Sequence, residues 1–475
     1  MSPSRTPAPA GPPSAPAAGG FDSLNLSPET LANLAQLGYS TMTPVQAATL
    51  PLALEGIDLI AQAETGSGKT AAFGLALLAS LNPRFFGVQA MVLCPTRELA
   101  DQVAQEVRRL ARAVPNLKIV TLCGGVPLRG QTASLEHGAH IVVGTPGRIM
   151  DHLERGHLDL KGLRTLVLDE ADRMLDMGFI DDITTVAQQC PPDRQTLLFS
   201  ATYPDTIAEL SRKFMRAPKQ IKVSAQIDAS RIREHWYEVN DATRLDAVVR
   251  LLLHYQPANA IAFCNTRQQC KNLLDVLRSH GFAALALYGD LEQYERDQVL
   301  VRFANRSCTV LVATDVAARG LDIDKLEAVV NVDVTPDAEV HVHRIGRTGR
   351  AGENGQVLNL ASMDEMGNVG KIELLQGRAT AWEPLASLKA AGPPPVAPMA
   401  TLQIMGGRKE KIRAGDVLGA LTKDAGFTRE QIGKIDVNDF STYVAVARSI
   451  ADEATRRLDA GRIKGRSVKV RLLED

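Results

Sequence analysis

The chain has 475 residues, of which 45% are hydrophobic and 23% charged, so it is globular and long enough for about three domains. Its formal net charge is −1, so any polyanion has to be met by local patches rather than by the whole molecule. No apolar run approaches the length of a membrane span, and residues 1–20 lack the hydrophobic region of a signal peptide. The composition favours a cytoplasmic protein without a membrane partner.

The cysteine pattern argues against metal and disulfide chemistry. The six cysteines include no C-x-x-C pair, and most of them lie within apolar runs. We therefore expect all six to be buried, reduced thiols.

Residues 1–20, rich in Pro and Ala, have too little large apolar surface to offset the entropy cost of ordering and are expected to be a disordered tail. Residues 21–222 alternate short apolar strands with helical stretches, which predicts a parallel sheet covered by helices on both faces. The predicted strands are 91–94, 119–123, 141–144, 165–168 and 196–199, and the predicted helices include 28–36, 98–112, 147–155 and 204–214.

A linker at residues 223–230 separates this domain from a second α/β domain, residues 231–380. The predicted strands of the second domain are 260–264, 283–288, 310–313, 328–332 and 355–360, and the predicted helices are 266–279, 291–304 and 338–345. It has no phosphate-binding loop of its own, so we expect it to serve a nucleotide bound by the first domain.

Residues 381–399 predict a proline-stiffened linker, and residues 400–475 a small α+β domain. Its strand–helix–strand–strand–helix–strand order is the split βαβ arrangement. The predicted elements are strands 402–405, 435–437, 442–447 and 467–472 and helices 416–424, 429–432 and 450–459. Residues 401–475 contain 15 Lys and Arg against 11 Asp and Glu, and this positive balance points to nucleic acid.

The most specific motif is A-E-T-G-S-G-K-T, between an apolar run and a helical pattern, as a phosphate-binding loop requires. Gly66 and Gly68 let backbone N–H groups surround an anion, Lys69 would reach the terminal phosphates, and Thr70 would bind Mg²⁺. Ala63 replaces the usual first glycine, so the motif is a variant. The predicted nucleotide contacts are Ala63, Glu64, Thr65, Gly66, Ser67, Gly68, Lys69 and Thr70.

Carboxylates and arginines complete a predicted hydrolysis site. An apolar strand delivers Asp169 toward the metal and Glu170 beside it. A carboxylate at this place can position or deprotonate the attacking water. The alternative is that these acidic residues form an ordinary cap of the next helix. Residues 343–350, H-R-I-G-R-T-G-R, interleave arginines with glycines. We expect Arg347 and Arg350 to stabilise charge on the γ-phosphate, although a basic run alone is more often a solvated face.

Together these motifs make residues 21–380 resemble a DEAD-box RNA helicase, and residues 169–172 spell D-E-A-D. The stretch that contains Phe21, Tyr39 and Gln46 resembles the Q motif of that family. The resemblance implies two tandem RecA-like domains that close on ATP and RNA. It also implies that Gln46 reads the adenine edge with support from Phe21 and Tyr39, which favours ATP over GTP.

The resemblance further implies the RNA-backbone contacts. They are hydroxyls, arginines and N–H groups at strand ends, which suit phosphates and are blind to base sequence. In the first domain they are Pro95, Thr96, Arg97, Gly124, Gly125, Thr145 and Arg148, and in the second Arg267, Gln293, Arg296 and Thr314. Asp315, Gly320 and Asp322 resemble the motif that closes on the ribose and γ-phosphate, and Ser200, Thr202 and His343 resemble coupling residues.

The C-terminal domain resembles the RNA-binding domain of the DbpA subfamily, through stretches 411–420, 432–435 and 461–465. In that subfamily the domain grips a hairpin of large-subunit (23S) ribosomal RNA, which implies a ribosome-assembly factor. It has few aromatic residues for base stacking, so readout would rely on loop backbone and on Arg408, Lys409, Lys411, Arg413, Lys464 and Arg466. A protein-interaction domain with a basic surface is the alternative.

The favoured hypothesis is an RNA-dependent ATPase, active with Mg²⁺ as a monomer, that locally unwinds ribosomal RNA. One alternative is an ATP-gated clamp that marks RNA for partners, and another is a general RNA chaperone without ribosomal specificity. A DNA translocase is disfavoured by the Q motif and by the RNA-type C-terminal domain.

Overall fold

The computed structural model describes residues 19–63, 66–203, 205–223, 232–318, 326–349 and 354–473. These residues fall mainly into two compact units, the first up to Val223 and the second from Ile232 onward. Most of the predicted tail and of the predicted 223–230 linker lies outside the described residues. In the ranges given, no helix is long and apolar enough to cross a bilayer.

The first unit is built on a seven-stranded parallel sheet with the order β3-β4-β2-β5-β6-β1-β7. The five central strands are buried along almost their whole length, as their continuous apolar runs predict, while the two edge strands are partly exposed. The strands are β1 (Leu59–Gln62), β2 (Ala90–Leu93), β3 (Ile119–Leu122), β4 (Ile141–Gly144), β5 (Thr165–Asp169), β6 (Gln195–Ser200) and β7 (Lys219–Lys222).

Amphipathic helices cover this sheet. In α4, the buried residues Leu99, Val103 and Val107 recur every four positions, and the Thr96 hydroxyl caps the helix by accepting from Leu99 N at 3.3 Å. The helices are α1 (Pro28–Gln36), α2 (Pro44–Leu54), α3 (Lys69–Ser80), α4 (Arg97–Leu110), α5 (Leu128–Glu136), α6 (Pro146–Glu154), α7 (Ala171–Asp176), α8 (Ile180–Gln189) and α9 (Asp205–Phe214).

The second unit contains a parallel sheet with the same topology, β10-β11-β9-β12-β13-β8-β14. Counted within each sheet, both orders read third, fourth, second, fifth, sixth, first, seventh, so the two domains repeat one architecture. The strands are β8 (Ile232–Glu238), β9 (Ala260–Cys264), β10 (Ala284–Leu287), β11 (Val310–Thr314), β12 (Ala328–Asn331), β13 (Gly355–Ala361) and β14 (Trp382–Glu383). The helices are α10 (Arg244–Tyr255), α11 (Arg267–Ser279), α12 (Gln293–Ala304), α13 (Asp315–Ala318), α14 (Ala338–Ile345) and α15 (Met366–Gln376).

The stretch predicted as a proline-stiffened linker is attached to the second sheet over much of its length. Trp382 and Glu383 pair with β8 as its outer neighbour. The Glu383 carboxylate accepts from the Tyr237 hydroxyl at 3.0 Å. Further along, Ala391 N donates to Leu253 O on α10 at 2.9 Å. The prediction missed these contacts because they depend on residues about 140 positions earlier in the chain.

The C-terminal domain has the predicted split βαβ order around a four-stranded antiparallel sheet, β16-β17-β15-β18. A single π-helical turn, Ala420–Asp424, extends the first helix. The strands are β15 (Met399–Ile404), β16 (Ile432–Val437), β17 (Thr442–Ala447) and β18 (Val470–Leu473), and the helices are α16 (Ala414–Gly419) and α17 (Ala451–Ala460).

This small sheet packs against the second α/β domain, within the same compact unit. Thr401 on β15 is fully buried, and its hydroxyl lies 3.2 Å from Asn305 Nδ2 and 2.7 Å from the Ser307 hydroxyl. Arg448 reaches back across the contact, where its Nη2 donates to Ser307 O at 3.1 Å. Buried polar groups on both sides therefore bond one another at this contact, although Asn305 Oδ1 has no hydrogen-bond partner among the described residues.

The fold class predicted from sequence is confirmed: two parallel α/β domains precede an α+β domain. All six cysteines are free and buried, as expected. The strands that sequence reasoning missed are β7, β8 and β14, of which β7 and β14 lie at sheet edges. Edge strands lack the continuous apolar run that marks a central strand, which explains two of the three omissions.

The contact between the two domains of the second unit yields a stability prediction. Thr401→Val keeps the side-chain shape but removes the hydroxyl shared by Asn305 and Ser307. We expect a loss of about 1–3 kcal/mol in the free energy of unfolding of the second unit, because buried polar groups lose their partner. Chemical denaturation measures it. Thr455→Val is the matched control, because the Thr455 hydroxyl donates to Ala451 O within its own helix. An equal loss of unfolding free energy in both variants would contradict the prediction.

Candidate nucleotide and RNA sites

The loop between β1 and α3 has the backbone of a phosphate-binding loop. Gly66 and Gly68 have φ angles of +79° and +92°, which side-chain-bearing residues rarely adopt. A Cβ on Gly68 would lie 2.6 Å from Gln46 Nε2 and 3.1 Å from the Thr43 hydroxyl. Glycine at this position is therefore required both by the backbone angle and by the close approach of α2. Glu64 and Thr65 lie outside the described residues.

The predicted adenine-reading residue is connected directly to that loop. Gln46 is 1% exposed, and its Nε2 donates to Gly68 O at 3.1 Å. Its Oε1 accepts from Thr43 N at 2.9 Å, which forms a capping box at the start of α2. Phe21 is buried and meets Tyr39 edge to face, with ring centroids 6.0 Å apart. Gln46 thus contacts the phosphate loop, while Phe21 and Tyr39 belong to a hydrophobic cluster that includes Ala71 and Ala72 of α3.

Two buried charged atoms at this site lack a hydrogen-bond partner among the described residues. Lys69 is 6% exposed and Asp169, the last residue of β5, is 2% exposed. Within the described ranges, neither Lys69 Nζ nor Asp169 Oδ1 has a hydrogen-bond partner. Burial raises the pKa of Asp169 to about 6, and the positive charge of Lys69 counteracts part of that rise. Unsatisfied buried groups of this kind fit a site that is completed by a charged ligand.

The remaining D-E-A-D residues link this site to the end of β6. Glu170 is 5% exposed, has a left-handed φ of +53° and pairs with Arg173. Asp172 Oδ2 accepts from Thr202 N at 3.0 Å and from the Thr202 hydroxyl at 3.1 Å. Ser200 Oγ accepts from Asp172 N at 3.3 Å. The predicted coupling residues of the first domain therefore contact the D-E-A-D turn itself.

The predicted RNA contacts of the first domain lie where β2, β3 and β4 end. These strands are neighbours, so the residues that follow them share one edge of the sheet. Gly125, exposed and with φ +75°, offers free backbone there. Arg148 is held in place, since its Nη1 donates to Val126 O at 3.1 Å and to Gln131 Oε1 at 2.9 Å. The residues brought together at this edge are Pro95, Thr96, Arg97, Gly124, Gly125, Thr145 and Arg148.

The second domain places its predicted contacts in the same way. Thr314 ends β11, and Arg267, which pairs with Asp290, begins the helix after β9. On α12, Gln293 Nε2 donates to Asp297 at 2.8 Å and Arg296 Nη2 donates to Ala317 O at 2.7 Å. These side chains are oriented by protein groups at the edge of the second sheet.

A buried arginine organises the end of this sheet. Arg344 Nε and Nη2 each donate to Asp315 at 2.7 Å, and Arg344 also reaches Asn265 Oδ1 at 2.9 Å and Asp333 O at 2.7 Å. Such a bidentate pair fixes the Asp315 carboxylate geometrically. His343 lies on α14 together with Arg344, and Arg347, the predicted finger, follows the end of this helix and is 5% exposed. Gly320, Asp322 and Arg350 lie outside the described residues.

The six predicted cations of the C-terminal domain are all exposed and lie on two loops. The loops touch, because Lys464 Nζ donates to Lys411 O at 2.7 Å. Lys411 and Lys464 both have left-handed φ angles, +63° and +53°, which are strained for residues with a side chain and occur often at functional sites. The cations are Arg408, Lys409, Lys411, Arg413, Lys464 and Arg466.

Sequence reasoning missed the contacts of two residues, one at the sheet edge of each α/β domain. Asp172 was noticed only as the last letter of D-E-A-D, and Arg344 only as the first arginine of its motif. The signal for Asp172 was its position: a carboxylate in the first turn of a helix, close to the Ser-Ala-Thr stretch that begins with the last residue of β6. Arg344 gave no such signal, because its partners are 11 to 79 positions away.

The phosphate loop generates a prediction. Gly68→Ala should abolish most nucleotide binding, because the new Cβ would collide with Gln46 Nε2 in addition to straining the backbone. Gly56→Ala is a matched control: its φ is +81° but no atom lies within 4 Å of the new Cβ, so it carries only the backbone cost of about 1 kcal/mol. Equilibrium binding of a fluorescent ATP analogue measures both variants. Equal affinities would contradict the proposed role of the close approach.

Comparison with known protein families matches all three domains. The DEAD/DEAH box helicase family matches residues 43–210. The helicase conserved C-terminal domain matches residues 243–352, and the DbpA RNA binding domain matches residues 401–472.

Individual proteins agree with this division. The ATP-dependent RNA helicase DbpA of Escherichia coli (strain K12) is 52% identical over 456 residues, 96% of this chain and 99% of that protein. The DEAD-box ATP-dependent RNA helicase CshA of Geobacillus kaustophilus is 44% identical over 74% of this chain and 76% of its own. The structure of S. cerevisiae Dbp5 bound to RNA and ADP BeF3 has a TM-score of 0.70 and 30% identity, covering 77% of this chain and 96% of its own. The chain therefore belongs to the DEAD-box ATP-dependent RNA helicases, within their DbpA-like subfamily, and is an RNA-dependent ATPase.

Proposed function

We propose that this helicase locally unwinds ribosomal RNA of the large subunit during ribosome assembly, and that its C-terminal domain directs it there. One observation carries the proposal. The similarity to E. coli DbpA extends over 96% of the chain, whereas the similarity to CshA covers 74%. The C-terminal RNA-binding domain is thus shared with DbpA, and the resemblance to that subfamily implies a hairpin of 23S ribosomal RNA as its target.

ATP and Mg²⁺ fit the first domain. Lys69 Nζ and Asp169 Oδ1 are the buried, unsatisfied groups that a phosphate and a hydrated cation would complete. The protein would hold Mg²⁺ through Thr70 and Asp169 together with nucleotide phosphates. Bound Mg²⁺ would neutralise charge on the β- and γ-phosphate oxygens.

The protein's own groups then have distinct roles. Glu170 orients the attacking water, while Arg347 and Arg350 stabilise charge that develops on the γ-phosphate. Gln46, with Phe21 and Tyr39, recognises adenine, and Asp315, Gly320 and Asp322 contact ribose and phosphate. Ser200 and Thr202 transmit the state of the site through Asp172: the Ser200 hydroxyl accepts from Asp172 N, and Thr202 donates to the Asp172 carboxylate.

RNA binding is assigned to the sheet edges and to the basic loops. The edges carry hydroxyls, arginines and backbone N–H groups that suit phosphates irrespective of sequence, so specificity has to come from the C-terminal domain. We further propose that the helicase acts as a cytoplasmic monomer. An ATP-gated clamp uses the same residues. The two functions differ in what releases the duplex: a helicase needs repeated turnover of ATP, whereas a clamp needs only ATP loading and unloading.

Substitution of the hydrolytic carboxylate tests the chemistry. Glu170→Gln should lower RNA-stimulated ATP turnover by about 10²- to 10⁴-fold, the usual contribution of a positioned general base. Binding of ATP should persist, because Lys69 and the phosphate loop are untouched. Glu136→Gln, an exposed residue at the end of α5, is the control. Turnover of Glu170→Gln at the parent rate would refute its assignment.

Charge removal in the basic loops tests the ribosomal target. Lys409→Ala combined with Arg466→Ala should reduce the slope of log affinity against log salt by about 1.5–2, as expected for two lost phosphate contacts. The advantage of a large-subunit ribosomal RNA fragment over generic single-stranded RNA in ATPase stimulation should shrink in parallel. Lys423→Ala with Arg456→Ala removes two exposed cations elsewhere in the same domain and serves as the control. If the parent chain responds equally to both RNAs, it is a general RNA chaperone.

A further inference from the structure

One aromatic side chain of the C-terminal domain is conspicuously exposed. Phe440 lies between β16 and β17, in the turn of their hairpin, and is 70% exposed. The other two aromatic residues of the domain are buried. The Arg457 guanidinium lies over the Phe427 ring, with its Cζ 5.2 Å from the ring centroid, and the Tyr443 hydroxyl accepts from Gln403 Nε2 at 3.1 Å. The sheet therefore presents no aromatic ring to a base, and Phe440 is the available ring.

The turn that carries Phe440 is joined to the first basic loop, residues 405–413. Arg408 N donates to Asn438 O at 2.8 Å, and Lys409 N donates to Asp439 O at 2.9 Å. A Cβ on Gly407 would lie 2.2 Å from Asn438 O, so the two backbones touch at a position where only glycine fits. Main-chain contacts consequently hold the turn of Phe440 beside this loop, and Asp439 of that turn pairs with Arg408 at 4.0 Å.

The second basic loop, residues 462–469, adjoins the first. Lys464 Nζ donates to Lys411 O at 2.7 Å, and Met405 N donates to Lys469 O at 2.8 Å. The two loops carry eight exposed cations and one acid, Glu410. The cations are Arg408, Lys409, Lys411, Arg413, Arg462, Lys464, Arg466 and Lys469.

We propose that Phe440 is a stacking site for an unpaired nucleobase of bound RNA. A single exposed ring in a turn that adjoins a basic loop matches single-stranded nucleic acid, which offers π-faces and phosphates together. A paired base cannot reach it, because its faces are covered by neighbours in the A-form helix, so the ligand is a base in a loop, a bulge or a frayed end. Charge complementarity selects RNA over a protein partner, and the inference rests on the RNA-binding function of this domain.

The stacking site would let the domain recognise unpaired bases, which the phosphate contacts do not do. Cations on the two loops hold the backbone whatever its secondary structure, whereas Phe440 responds only to a base that is splayed out. The domain would thereby distinguish a hairpin loop from a continuous duplex without reading the identity of the base.

Binding of a labelled RNA hairpin to the full chain tests this. Phe440→Ala should weaken binding of a hairpin with an unpaired adenosine-rich loop by about 5- to 100-fold, and Phe440→Trp should retain it. The same hairpin with abasic loop positions should bind the parent weakly, with little further loss in Phe440→Ala. A blunt duplex should bind both proteins alike. Phe86→Ala, which removes a ring that is 52% exposed in the first unit and lies near Lys118, should leave hairpin affinity unchanged.

The outcomes separate this inference from the proposed ribosomal function. If Phe440→Ala binds the hairpin as tightly as the parent while Lys409→Ala with Arg466→Ala does not, the stacking site is refuted and the basic loops stand. If Phe440→Ala weakens duplex and hairpin equally, the ring does not discriminate unpaired bases and the inference also fails. Loss of hairpin binding in Phe440→Ala without any preference for ribosomal RNA in the parent would support stacking and refute the ribosomal target.

Discussion

The proposed chemistry depends on one constraint: all strands of a parallel sheet end at the same edge, where ligands of such folds bind. Because β5 and β6 are neighbours and β6 pairs with β1, Asp169, Ser200 and the loop before Lys69 meet there. The second sheet repeats this strand order, and it brings Thr314 and Asp315 to its own edge. Each domain thus presents one edge of functional residues, which is the arrangement that a helicase closing on shared ligands requires.

The features predictable from sequence are those encoded locally. A phosphate loop is a strand, glycines and a helix within about a dozen residues, so Gly66, Gly68 and Lys69 could be assigned before any contact was known. Asp169 was predictable because an apolar strand delivers it to the sheet edge. The split βαβ order of the C-terminal domain was likewise readable from short apolar runs, although the prediction did not foresee the π-helical turn that extends α16.

Contacts between distant parts of the chain were beyond sequence reasoning. Three arginines in one motif look equivalent, yet Arg344 is buried in a bidentate pair with Asp315 and also bonds Asn265, which residue type alone does not indicate. Burial also separates Tyr443 from Phe440, because β17 turns the first toward Gln403 and the hairpin leaves the second in solvent. Both distinctions arise from tertiary packing, which overrides what residue type alone suggests.

The attachment of β14 to the second sheet affects how the chain can be shortened. Leu388 is buried in the core of the second α/β domain, and Ala391 is bonded to α10. A protein cut before Trp382 would uncover the outer edge of β8, and an unpaired edge invites pairing with other chains. A stable two-domain core should therefore end beyond Ala391, even though the composition of 381–399 suggests that everything there is dispensable spacer.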